Sequence, residues 1–457
     1  MNYRGMKVLV VGAAKSGLAA VRFLLDRAAR VILTDTRTDE ALKADIAALC
    51  ASADYPGTLT LELGGHRDDS FRESDMIVVS PGVSLSLPCF DVSRRAGVPI
   101  IGEIELAYRH LQGRIIGITG SNGKTTTTTL VSDLLNGAGM RAYAAGNIGA
   151  PLVGFAAHSL PEDIYTVELS SFQLESTLEF CPFIGSILNL TPDHMDRYAG
   201  FENYVAAKKR VFMNQAKTDF AVLNADDIRT AAIAKEVNSR PVLFSRARIL
   251  EQGAFVRNGR VIYRDGQIEM DLFPISAIAL KGSHNLENVL AACAMAILAG
   301  APPESLEPNI RKFKGVEHRI EWVSEIDGVQ YFNDSKATNI DATIKSIDSF
   351  PGNILLILGG RDKAGDFTVL RSLIQERVKH IVLIGEAAPK IREALAGAAE
   401  MSEAKSMDEA VSICRLVAHR GDTVLLAPAC ASFDMFQNYE HRGRAFKESV
   451  RRLNGRA

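Results

Sequence analysis

Nine short apolar runs recur along this chain, bounded by Gly, Asp, Ser or Pro and each followed by a helical pattern: KVLVVG, RVILTD, MIVVSPG, RIIGITG, YTVELS, IGSILNL, ILLILGG, HIVLIG and TVLLAP. Runs this short without polar alternation describe strands buried on both faces, and a helix between successive strands requires them to lie parallel. The expected class is therefore α/β.

At 457 residues the chain exceeds what one hydrophobic core organises. A new strand starting near Arg114 suggests that a first domain occupies residues 1–102. Between about 215 and 280 the pattern loosens into strand-like pieces such as GAFVRNGRVIYRDGQIEM, then SHNLENVLAACAMAILAG reads as a long helix with small apolar residues on its inner face. The proline-rich GAPPESLEPNIRKFKG reads as a surface connection. A central domain over 103–315 and a third α/β unit over 316–457 complete the division.

Charged residues make up 23% and the formal net charge is −2, so nothing calls for nucleic acid or an anionic membrane surface. No uncharged apolar stretch is long enough to span a bilayer, and the start carries no apolar signal region. Cys50, Cys89, Cys181, Cys293, Cys414 and Cys430 are scattered without metal-site spacing and read as reduced thiols. The expectation is a cytoplasmic protein that handles small molecules.

The stretch VLVVGAAKSGLAAVRFLL is a strand, a glycine turn and a helix, and Asp35 ends the second strand. This is the layout of a dinucleotide site, but Ala14 replaces the glycine that lets a pyrophosphate approach the backbone. A different nucleotide or anion, or a plain structural turn, fits better than nicotinamide.

GITGSNGKTTTTTL places Gly120, Ser121, Asn122, Gly123, Lys124 and Thr125 between a strand and a helix. The common phosphate loop needs a glycine five residues before Gly123, where this chain has Ile118. The context still converges backbone N–H groups on phosphate oxygens, with Lys124 supplying charge and Thr125 a hydroxyl for Mg²⁺. Thr126 to Thr129 enter the helix, and position alone assigns them no chemistry; Thr126, next to the loop, is kept among the cofactor-binding candidates.

Glu168 ends a strand, where α/β sheets bind ligands, so it reads either as a hard-cation ligand or as a capping or solvated acid. Asp193, His194 and Asp196 follow another strand, and Lys208 and Lys209 sit on the next helix; taken singly, such residues are more often structural or solvated. His318, Arg319, Asp334, Ser335, Lys336, Thr338, Lys363 and Ser432 cluster around strand ends of the third unit, where an anionic substrate would be gripped.

The order GITGSNGKTT, GNIG, VELSSFQL, NLTPDHMDRY, AAKKRVF, HNLENVLAA, EHRIE, NDSKATN, GGRDK and ACASFD resembles the muramyl ligase family over essentially the whole chain. The resemblance implies three domains: an N-terminal Rossmann-like nucleotide-sugar domain, a central P-loop ATPase-type parallel-sheet domain and a C-terminal Rossmann-like α/β domain. It also implies a monomer that uses ATP to join D-glutamate to UDP-N-acetylmuramoyl-L-alanine through an acyl phosphate, with Mg²⁺, or Mn²⁺, as the ion. Ser16, Asp35, Thr36, Arg37 and Gly82 would hold the nucleotide sugar, and Asn147 would contact the same substrate. Lys124 and Thr125 would bind ATP phosphates and a first metal, while Glu168 and His194 would hold a second. Lys208 matches a lysine that the family carbamylates, and Lys209 has no such counterpart. Asn285, Asn288, His318, Arg319 and Asp334 would contact the nucleotide, and Lys336 a phosphate. Thr338, Lys363 and Ser432 would receive D-glutamate, with Tyr439 standing where phenylalanine is expected. Closure of the third domain on the second would assemble the site. The phosphate loop alone would also admit a folylpolyglutamate synthase, and a UDP-sugar-sensing module without chemistry is the reading from another class.

Overall fold

A computed structural model describes residues 2–50, 55–195, 197–280, 282–363 and 365–454. All nine apolar runs are strands, and each lies in at least one parallel pairing. They fall into three sheets.

The first sheet has five parallel strands in the spatial order Thr58–Leu63, Arg30–Asp35, Lys7–Val11, Met76–Val79, Ile100–Gly102. Its chain order reverses beside Lys7–Val11, and the glycine turn sits at that crevice. A Cβ on Gly17 would lie 1.9 Å from the Gly12 carbonyl oxygen, and Gly12 itself has φ +96°, so this turn tolerates a side chain at neither place.

The central sheet has nine strands, in the order Ile268–Pro274, Arg260–Asp265, Gly253–Arg257, Arg240–Ser245, Phe220–Asn224, Ile184–Ile187, Arg114–Thr119, Ile164–Glu168, Ala142–Gly146. Its first two pairings are antiparallel and the rest parallel, so the loosely patterned region is a meander added to a phosphate-loop sheet. The helix Ser283–Ala299 packs its alanines against the helix Lys124–Gly137 and the sheet. GAPPESLEPNIRKFKG is not a mere surface connection. It forms the helix Leu306–Lys312, whose Leu306 and Ile310 are buried in the same core as Phe313. Pro308 lies in its first turn, where the missing N–H costs no helical bond.

The third sheet runs Glu321–Ile326, Val329–Asn333, Thr423–Leu426, Ile354–Gly359, Val378–Ile384, Glu400–Ala404, parallel except for its first pair. Five cysteines, Cys89, Cys181, Cys293, Cys414 and Cys430, are free thiols. The Cys50 side chain and Asp196 lie outside the described residues. Among those residues no helix is long and apolar enough to cross a membrane.

Candidate active site

The phosphate loop joins the strand Arg114–Thr119 to the helix Lys124–Gly137. Gly123 has φ +84°, and a Cβ there would lie 2.2 Å from Asn288 Oδ1, so the loop and the long helix approach too closely for any other residue. Ser121 Oγ donates to the Thr191 carbonyl at 2.7 Å, and the Asn122 N–H donates to Asn189 Oδ1 at 2.8 Å. Both bonds pin the loop to the segment after the strand Ile184–Ile187. Lys124 Nζ folds back onto the carbonyls of Gly120 at 2.7 Å and Ser121 at 2.8 Å. Burial lowers its pKa, against the opposing pull of Glu168 and Asp193.

Glu168 is 1% exposed, which rules out the solvated-acid alternative. It is no helix cap either, because Ser170 caps the helix Ser171–Glu175. Its oxygens accept from Thr125 Oγ1 at 2.7 Å and Asn147 Nδ2 at 2.8 Å. Burial pushes its pKa up, yet the charges of Lys336 and Lys124 and these two bonds hold it below the usual carboxylate range. Lys336 also donates to the Thr125 hydroxyl. A carboxylate and a hydroxyl already facing one cation form an oxygen donor set that suits a hard divalent ion.

Lys208 and Lys209 separate sharply. Lys208 is 2% exposed and donates to the Gly120 carbonyl at 2.8 Å and to Thr119 Oγ1 at 3.3 Å. Burial, aided by the Lys124 charge, drives its pKa well below the ordinary lysine value. Lys209 instead forms a surface ion pair with Glu236. The expectation of a solvated helix face is wrong for the first and right for the second.

A cavity of about 440 Å³ brings together Lys124, Asn147, His194 and Lys208 from the central sheet with Thr338, Lys363, Ser432 and Tyr439 from the third. His194 has φ +57° and lies edge-on to Phe172, with ring centres 4.9 Å apart. A second cavity of about 560 Å³ joins Ser16 and Lys15 of the first-domain turn to Thr125, Asn147, His318 and Lys336. Asn122, Gly123, Thr126, Asn285, Asn288, Arg319 and Asp334 line a cleft of about 30 Å³. That space is far smaller than a nucleotide.

Asp35 is buried, and its oxygens accept from the Ala13 N–H at 2.7 Å and from Arg37 Nε at 3.0 Å and Nη2 at 2.9 Å. Burial raises its pKa, but Arg37 and the backbone donors outweigh this and hold it at about 2. Thr36, Arg37 and Gly82 are exposed, and none of them lines the two large cavities.

Several residues at the site escape sequence reasoning. Asp341 accepts from Asn122 Nδ2 and from Thr191 Oγ1 at 3.1 Å, tying the third domain to the phosphate loop. Tyr204 meets Ser121 Oγ at 3.0 Å. Arg442 is fully buried and donates to Ser335 Oγ at 3.0 Å and to the carbonyls of Ser335 at 2.8 Å and Cys430 at 3.1 Å, binding two strand-end loops together. Each sits on an ordinary polar helix face in the sequence, and no spacing distinguishes it.

Residues 6–102 match the N-terminal domain of MurD-like Mur ligases, residues 118–296 the Mur ligase middle domain, and residues 318–430 the Mur ligase glutamate ligase domain. The UDP-N-acetylmuramoylalanine–D-glutamate ligase of Koribacter versatilis is 46% identical over 453 residues, covering 99% of either chain. That of Acidobacterium capsulatum is 49% identical over 460 residues, covering 100% of this chain and 98% of the other. A MurF ligase from Thermotoga maritima, solved in complex with ADP, has the same fold, with a TM-score of 0.59, 17% identity and coverage of 86% of this chain and 97% of that one.

Proposed function

The chain belongs to the Mur ligase family, and on that premise we propose that it is an ATP-dependent ligase that joins D-glutamate to UDP-N-acetylmuramoyl-L-alanine. The observation that carries this reading is the shared cavity of about 440 Å³, where the phosphate-loop Lys124 and the buried Lys208 face Lys363 and Ser432 of the third domain. Such a cavity lets a phosphate donor and a small acidic amine reach one carboxylate.

A carboxylate is a poor electrophile until one of its oxygens becomes a leaving group. In the proposed sequence the alanyl carboxylate takes the terminal phosphoryl group of ATP and ADP leaves. The amine of D-glutamate then attacks the acyl carbon, phosphate departs, and the amine gives up its proton. Lys124 and Lys336 offset the repulsion between phosphate and carboxylate during the first transfer. Lys363 pairs a carboxylate of the incoming D-glutamate, with Thr338, Ser432 and the Tyr439 hydroxyl placing the amine.

Thr125 and Glu168, with His194, are the residues that would hold Mg²⁺ or Mn²⁺. When bound, the ion supplies charge neutralisation between donor and acceptor anions. Burial pushes the Lys208 pKa well below the ordinary lysine value, which favours the neutral amine that adds to CO₂ with loss of a proton, and the resulting carbamate would be an anionic metal-bridging group. Ser16, Asp35, Thr36, Arg37 and Gly82 receive the uridine diphosphate end in a first domain over 1–102. Asn285, Asn288, His318, Arg319 and Asp334 receive the nucleoside of ATP between domains over 103–315 and 316–457. A monomer in the cytoplasm is part of the same proposal.

ADP release that requires both UDP-N-acetylmuramoyl-L-alanine and D-glutamate tests the reading. L-Alanine, meso-diaminopimelate and L-lysine serve as competing amines, and a folate as the competing acceptor. Release indifferent to the amine would overturn it.

A further inference from the structure

The segment NLTPDHMDRY supplies His194 to the reaction cavity, and its arginine points elsewhere. Arg197 reaches the first domain: Nη1 donates to the Pro81 carbonyl and Nη2 to the Val83 carbonyl, both at 3.3 Å. These carbonyls flank Gly82, in the loop assigned above to the nucleotide sugar. The guanidinium lies 3.9 Å from the centre of the Phe172 ring and 3.5 Å from Glu175, with only 20% of the side chain exposed.

Phe172 is the hub of this arrangement. His194 meets it edge-on at 4.9 Å, and Tyr198 stacks on it at 6.0 Å while its hydroxyl donates to Glu175 at 2.5 Å. The Ser170–Gln173 capping box fixes the short helix that carries Phe172 and Glu175. The Arg197 N–H also donates to the His194 carbonyl at 3.0 Å, closing the turn in which His194 holds its positive φ. One planar cation thus bridges two carbonyls of the first domain and covers the ring against which a candidate metal ligand rests. A lysine could supply the charge but neither the fork nor the flat face.

We propose that Arg197 is a positioning residue that sets the nucleotide-sugar loop and the His194 side of the reaction cavity as one unit. It touches neither reacting group; it acts through loop 81–83 on one side and through Phe172 on the other. This inference rests on the ligase reading for the identity of its ligands.

The test uses full-length Arg197→Ala, Arg197→Lys and Phe172→Leu. UDP-N-acetylmuramoyl-L-alanine affinity is read by calorimetry, and Mn²⁺ affinity with ADP present by electron paramagnetic resonance. Losing a charged donor pair weakens binding by roughly tenfold or more, so Arg197→Ala should raise the nucleotide-sugar Kd about tenfold and the Mn²⁺ Kd about threefold. Arg197→Lys should recover less than half of either loss. Phe172→Leu keeps the bonds to loop 81–83 and should weaken Mn²⁺ alone. Wild-type affinities in Arg197→Ala, or full recovery in Arg197→Lys, would overturn the proposal. If Arg197→Ala does not fold, unchanged Mn²⁺ affinity in Phe172→Leu overturns it and a selective loss supports it. Wild-type protein that binds the nucleotide sugar yet never releases ADP with D-glutamate would sink the ligase reading alone, because both affinities remain measurable.

Discussion

Thr125 Oγ1 donates to Glu168 Oε2 at 2.7 Å, although the two residues lie on different elements and 43 positions apart. The carboxylate's other oxygen is held by Asn147. Glu168→Gln keeps the shape but removes the charge that opposes Lys336 and Lys124. Turnover should fall by about 100-fold or more, the scale seen when a preorganised electrostatic group is lost, and Mn²⁺ affinity measured with ADP should fall with it. A variant with native metal affinity would remove Glu168 from the metal site.

Lys208→Ala should reduce kcat by at least about 100-fold while leaving nucleotide-sugar affinity within about twofold, since the amine lies in the reaction cavity behind the loop and not in the first domain. Stripping bicarbonate from wild-type enzyme should lower activity reversibly. Unchanged activity in both experiments would show that this lysine is structural.

Asp341→Ala leaves Asn122 and Thr191 without their third-domain acceptor. Each hydrogen bond to a charged acceptor is worth about 1.5–3 kcal/mol, so the nucleotide-free variant should populate a more open arrangement. Small-angle scattering checks this: the radius of gyration should rise relative to wild type and contract on addition of ATP and the nucleotide sugar. Equal radii in all states would place the closing contact elsewhere.

Glu103 is 2% exposed, and its Oε1 accepts the Val153 N–H at 2.6 Å. Burial raises its pKa to about 7, against the lowering effect of backbone donors from Val153 and Leu152. A raised carboxyl pKa means that the folded state binds more protons than the unfolded chain between pH about 4.5 and about 7. The protonated form therefore contributes stability that is complete at acid pH and lost as pH rises through about 7. Glu103→Gln should melt higher than wild type at pH 8 and equally at pH 4.5, with a difference on the order of 2–3 kcal/mol. Thermal melts at the two pH values check it.

Lys363→Ala should raise the D-glutamate KM by about tenfold or more, the cost of one charge-assisted contact, and leave the ATP KM within about twofold. A KM effect on ATP alone would move Lys363 to the nucleotide.

The nine strand runs and the phosphate loop are local: each is specified by residues a few positions apart, so period and punctuation suffice to read them. Two strands that sequence pattern missed lie at sheet edges: Ala142–Gly146 is built on alanines without a β-branched residue, and Glu400–Ala404 is mostly polar. The helix Leu306–Lys312 was hidden because its prolines, which read as a break, stand before it and in its first turn.

Residue order alone determined the α/β class and the phosphate loop, because these rest on local periodicity and on a motif at fixed spacing; the metal and amino-acid contacts were implied by the resemblance to the muramyl ligases. Tertiary structure decided the rest. It gave the physical reason for separating Lys208 from Lys209, which differ by one position and face opposite environments, one at 2% exposure and one paired with Glu236 at the surface. It also chose Asp341 as the tie between domains and Arg197 as the link from His194 to the first domain. Burial and contact between residues more than 100 positions apart depend on how three sheets pack, and no local spacing encodes that.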